Sequence, residues 1–143
     1  MKHAKIISAI LTAVVMCTST AVVASAKELS SADISIVAPN YQIASNPVSQ
    51  LSISGTTAAC LSSVRGPSVK SITAKQSLEK FWGLWVWNEV GNWDKTVNTN
   101  SITMSNHKYN LESGTYRLKT VFTLTATNGE TETITVYSEE VTI

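Results

Sequence analysis

The stretch GTYRLKTVFTLTATNGETETITVY, residues 114–137, carries the clearest structural signal in this 143-residue chain. Tyr116, Leu118, Phe122, Leu124 and Ala126 fall on one side of a period of two, and Thr115, Arg117, Lys119, Thr123, Thr125 and Thr127 on the other. That alternation belongs to a strand with one face in a core and one in water. Asn128-Gly129 then marks a hairpin. A two-residue loop would set Thr133 and Thr135 opposite Leu124 and Phe122. A three-residue loop, Thr127 to Gly129, instead aligns Ile134 and Val136 with the core face, so the pattern predicts the longer loop with Gly129 left-handed.

Outward from this hairpin the same grammar repeats. QLSIS, TTAACLSSV, KSITAKQSLEK, LWVWNEVGNW and SITMSN precede it, each a short alternating segment bounded by turn residues, and ETITVYSEEV is its second arm. No stretch after Lys27 sustains helical periodicity. About seven short strands in about 95 residues predict an all-β, antiparallel β-sandwich over residues 50–143. Residues 27–49, Ser- and Ala-rich with Pro39 and Pro47, read as a flexible segment leading into an edge strand.

The N-terminus has a different grammar. MKHAK, the apolar run IISAILTAVVM and Ala24-Ser25-Ala26 before Lys27 match the three regions of a secretory signal peptide, residues 1–26, so the expected product is secreted, extracellular and begins at Lys27. The apolar run is too short and too interrupted for a membrane span. Met16 before Cys17 does not suit lipidation, and no stable membrane anchor is expected. Removing the leader takes Lys2 and Lys5 and leaves nine Lys and Arg against ten Asp and Glu. That balance argues against nucleic acid as a partner. It also leaves a single cysteine, Cys60, so no internal disulfide can form. In TTAACLSSV, with no neighbouring His or Lys, Cys60 reads as a small buried hydrophobe.

All four tryptophans lie in KFWGLWVWNEVGNWD, residues 80–94. With Phe81 to Leu84 as a four-residue connection, strict alternation pairs Lys80 with Trp85, Leu78 with Trp87, Ala74 with Gly91 and Ile72 with Trp93. Trp87 and Trp93 then join Cys60, Leu78, Tyr116, Leu118, Phe122 and Leu124 in the predicted core, with Trp85 over its rim. Phe81 and Trp82 are left at the tip. Phe81, Trp82, Leu84 and Trp85 are therefore the candidate binding residues.

LESGTYRL, residues 111–118, resembles the corner of immunoglobulin-type domains, in which an acidic residue, Gly and Tyr precede a core position of the penultimate strand. The resemblance makes Tyr116 the corner tyrosine, with its hydroxyl bonded back to the backbone. It places Cys60 and Leu118 where the domain's two bridging cysteines would lie and Trp87 near the core tryptophan. It implies an immunoglobulin-like sandwich that lacks the bridge. From about residue 41 to 138 the chain also resembles small secreted β-sandwich proteins of Gram-positive bacteria to which no function is assigned. The shared elements are the signal peptide, Tyr41 and Ile43, LSISG, Trp87 and Trp93 spaced W-x5-W, GTYRLK and NGETET; they are structural rather than catalytic.

Chemistry-bearing residues are sparse. His107, in MSNHKYN, has no serine or carboxylate placed beside it by the pattern, and one His with one Cys falls short of a zinc ligand set. Glu79 and Glu89 lie on facing strands but, by strict alternation, on opposite faces, unlike a glycosidase pair. Asp94 and Glu112 lack the spacing of a calcium loop. The expectation is therefore no enzyme, no catalytic residues, no metal and no cofactor. The leading functional expectation is a secreted recognition module that contacts a cell-surface glycan or protein through its aromatic tip. The alternatives are an assembly protein using its edge strands or a membrane-active, toxin-like protein.

Overall fold

The structure, a computed structural model, describes residues 41–143. The expected leader, 1–26, and the stretch 27–40 lie outside the described residues. Eight strands follow in order: β1 Ser45–Ser54, β2 Thr57–Arg65, β3 Val69–Gly83, β4 Val86–Val97, β5 Ser101–Lys108, β6 Thr115–Ala126, β7 Thr131–Tyr137 and β8 Val141–Thr142. No helix occurs among the described residues. One antiparallel sheet has the order β1-β2-β5, and the other β4-β3-β6-β7, with β8 pairing the start of β6.

The hairpin that anchors the sequence analysis forms as expected. Phe122 pairs with Ile134 and Thr120 with Val136. The three-residue loop closes with Ala126 N–H donating to the Glu130 carbonyl, and Gly129 has a φ of 94°. ETITVYSEEV breaks into two strands because the Leu118 N–H donates to the Ser138 side-chain oxygen (2.8 Å) instead of to a strand carbonyl. β1 starts at Ser45 rather than Gln50. Pro47 is tolerated there because β1 is an edge strand, paired only with β2 and irregular between Ser45 and Val48.

The two sheets bury their facing sides against each other in two apolar clusters. One gathers Val64, Val69, Ile72, Ala74, Ile102, Met104, Phe122, Leu124 and Ile134; the other gathers Ala58, Cys60, Leu78, Leu111, Tyr116 and Leu118. Burial pushes the Cys60 thiol up to about 11. The Tyr116 hydroxyl donates to the Glu112 carbonyl at 2.6 Å. Between the clusters runs a polar layer at positions that share the parity of the core residues. The Gln76 amide donates to Ser62 Oγ (2.7 Å), Ser62 and Thr120 share a hydrogen bond (2.7 Å), Thr120 and Ser49 another (3.0 Å), and Asn106 donates to Gln76 Oε1 (2.7 Å). Gln76, Ser62 and Thr120 are fully buried, so each must find its partners inside the protein, and each does.

Candidate recognition site at a hairpin tip

β3 and β4 do not pair as strict alternation predicts. The turn is two residues long, Leu84-Trp85, with Gly83 paired to Val86, and two bulges follow. Trp82 is the extra residue on β3, and Val90 the extra residue on β4. Beyond both bulges Leu78 pairs with Gly91, Gln76 with Trp93 and Ile72 with Val97. This register is offset from the expected one by an even number of residues, so Trp93 stays on the core face, where it packs against both clusters. Gly91 makes room for it: a Cβ there would come within 3.1 Å of the indole.

Between the bulges the parity is inverted, and the expectations for residues 87 to 89 fail for that one reason. Trp87, expected in the core, pairs with Phe81 and lies on the outer face. There the Arg117 guanidinium stacks over its ring at 4.0 Å and over Tyr137 at 4.5 Å. Glu79 holds that guanidinium from the side (2.7 Å), and Phe81 packs on Trp87 with centroids 5.2 Å apart. Glu79 and Glu89 are likewise direct cross-strand partners on one face, not on opposite faces. They do not make an acid–base pair, because Glu79 is tied to Arg117 while Glu89 accepts from Asn92 and Ser77. Those two hydrogen bonds, Asn92's first, hold Glu89 below the ordinary carboxylate range, whereas a general acid needs a raised pKa.

The last β6 partner of β3 is Tyr116, opposite Lys80. Past that point residues 81–87 continue as a two-stranded ribbon without a β6 partner. Trp82 is 72% exposed, Leu84 94% and Trp85 91%; Phe81 and Val86 are exposed as well. Trp82 therefore does not fold back over the core, and Trp85 caps the turn rather than covering the core rim. Leu84 and Trp85 both have positive φ, 51° and 66°, the two-residue turn that Asn-Gly makes without strain. Two large side chains occupy it at a backbone cost of about 1–2 kcal/mol each.

A two-stranded ribbon alone is barely stable in water. Here the Phe81–Trp87–Arg117–Tyr137 stack ties its root to β6 and β7. Val86, Arg117 and Tyr137 are the contributors the sequence analysis missed. Nothing in the local pattern pairs Arg117 with Trp87 until the Val90 bulge is known. His107 stands apart from the tip residues and stacks on Tyr109, centroids 6.3 Å apart. Two open grooves of similar size are concave alternatives: one of about 500 Å³ between β4 and β5, lined by Trp93, Asp94, Lys95, Thr103 and Met104, and one of about 480 Å³ over β1 and β2, lined by Leu51, Leu61 and Ser105 among others. In the first, Lys95 lies across toward the Thr103 carbonyl (3.5 Å). No protein-family model matches the chain, and comparison with curated proteins finds no match either.

Proposed function

We propose that the chain is a secreted, non-catalytic recognition module of immunoglobulin-like type that engages its partner through the hairpin tip Phe81, Trp82, Leu84 and Trp85. The observation that carries this is the turn itself. A sequence selected only to fold would place Asn-Gly at residues 84 and 85; instead a leucine and a tryptophan sit there, strained and almost wholly exposed. Strain at an exposed apolar tip points to use, because nothing inside the fold gains from it.

The immunoglobulin-like assignment is supported by the strand order, β1-β2-β5 against β4-β3-β6-β7, and by the bond from Tyr116 to the backbone four residues upstream. Cys60 and Leu118 share a cluster with Leu78, and the tryptophan packed against that cluster is Trp93 rather than Trp87. Export, and kinship with the Gram-positive secreted family, rest on the leader and motifs already described. An intact mass beginning at Lys27 would support export, and retention of the leader would count against it.

The test of the tip is the double replacement Leu84→Asn with Trp85→Gly. It should raise stability by roughly 1–3 kcal/mol in denaturant melts, by relieving both left-handed residues, and abolish partner binding. Partners are screened on glycan arrays, by capture of surface proteins and on vesicles. A variant that is destabilised, or that binds as the parent does, would remove the tip as the recognition site.

A further inference from the structure

We infer that the acceptor for this tip is the headgroup–acyl boundary of an electrically neutral lipid bilayer, into which Trp82, Leu84 and Trp85 insert. This rests on the tip being the recognition site and names its partner class. Four features favour lipid over sugar or protein. Residues 81–87, FWGLWVW, contain no charge and no polar side chain other than indole N–H. A sugar-binding platform needs neighbouring hydrogen-bonding groups for the hydroxyls, and these residues lack them. Indole suits an interface, where its ring is buried while its N–H stays hydrated.

The second feature is shape. Counted along the β4 side, which carries no extra residue here, the ribbon rises about 7 Å from Trp87 to Trp85 at the usual rise per residue, within the depth of about 5–10 Å to which interfacial elements sink. It is far short of the hydrocarbon core of about 30 Å, so the tip anchors without spanning. Third, the exposed apolar residues of the tip are Phe81, Trp82, Leu84, Trp85 and Val86, too few for the roughly 20–30 residues a side of a stable protein interface. A fluid bilayer needs no such complementary surface.

Fourth, among the described residues the electrostatics near the tip give anionic headgroups no free cation. The two nearest cations are internally paired, Lys80 with Glu112 at 3.0 Å and Arg117 with Glu79 at 2.7 Å, and the remaining nearby charge, Glu89, is an anion held by Asn92 and Ser77. Residues 41–143 carry eight basic and eight acidic side chains. Attraction to anionic headgroups is therefore not the driving force.

The experiment is flotation of the full exported protein with phosphatidylcholine vesicles, with and without about 30% phosphatidylglycerol and at low and about 0.5 M salt. The expected result is binding that changes less than about twofold across these conditions, blue-shifted tryptophan emission quenched by brominated phosphatidylcholine, and no leakage of vesicle contents. Leu84→Ser and Trp85→Ser should each weaken partitioning roughly tenfold or more, and Asn128→Ala, in the distant β6–β7 loop, should not. Absence of binding to phosphatidylcholine, or binding that needs anionic lipid and disappears in salt, overturns the lipid inference. Failure on vesicles together with tip-dependent capture of a glycan or protein overturns it while sparing the recognition reading. Vesicle binding that survives Leu84→Asn with Trp85→Gly overturns both.

Discussion

Trp87 and Trp93 are both odd-numbered positions of one strand and yet serve opposite faces. Trp93 touches both apolar clusters, whereas Trp87 is a rung of a half-buried stack with Arg117 on the outer face. Their truncations should therefore differ. Trp93→Ala empties volume beside both clusters and should cost about 3 kcal/mol or more. Trp87→Ala loses a cation–π contact and the packing of a half-buried ring on Phe81 and should cost about 1–2 kcal/mol. Urea melts of the two variants measure the difference, and equal losses would mean the parity inversion at Val90 is absent in solution. Glu132 gives a second, independent test. Burial pushes its carboxyl up, but the backbone N–H groups of Gln42, Ala44 and Ile43, at 2.9–3.0 Å, outweigh burial and leave its pKa lowered. A depressed folded-state pKa means that the clamp is fully present above the ordinary glutamate range and is lost as pH falls through the lowered value. The amide resonances of residues 42–44 should shift together below that range, and Glu132→Gln should eliminate the transition. A transition that survives in the variant would assign it to another group.

The β3–β4 hairpin combines a strained turn, two bulges and a two-stranded ribbon, which would fray without support. Its support is the stack from Phe81 through Trp87 and Arg117 to Tyr137, which crosses four strands. Arg117→Ala should leave β6 in place but speed amide exchange in residues 81–87 by about tenfold or more, since it removes both aromatic contacts and leaves Glu79 without its cation. Arg117→Lys should rescue little, because an ammonium cannot stack flat between two rings. Unchanged exchange in the ribbon would show that the turn holds itself. The tip is thus presented on a stiff mount, which lowers the ordering cost of docking.

For the two sheets together, the polar layer through Ser49, Thr120, Ser62, Gln76 and Asn106 sets how one sheet sits on the other. Hydrogen bonds have direction and apolar contacts do not, so this layer selects one alignment of the sheets. Gln76→Ala strands Asn106 and removes a donor to Ser62 in addition to opening space, and should cost about 3 kcal/mol or more. A cost below about 1 kcal/mol would mean that water replaces the amide without loss.

The order of strands along the chain, the β6–β7 register and the core positions Cys60, Leu78, Tyr116, Leu118, Phe122 and Leu124 could all be read from residues 50–143 alone. Each depends on local alternation and turn chemistry, and a one-residue slip there would expose a whole apolar face. The aromatic tip was legible as composition, since four tryptophans in one short stretch exceed what a core of this size needs. Its geometry was not. A bulge adds one residue at a position that alternation does not mark, and Val90 looks like any other strand valine. Whether Trp87 faces in or out and whether Glu79 meets Glu89 depend on the bulges within the β3–β4 hairpin, and whether Gln76 is solvated or buried depends on the sheet packed opposite it. Backbone pairing and sheet packing settle those questions, and the alternation of residue types does not encode them.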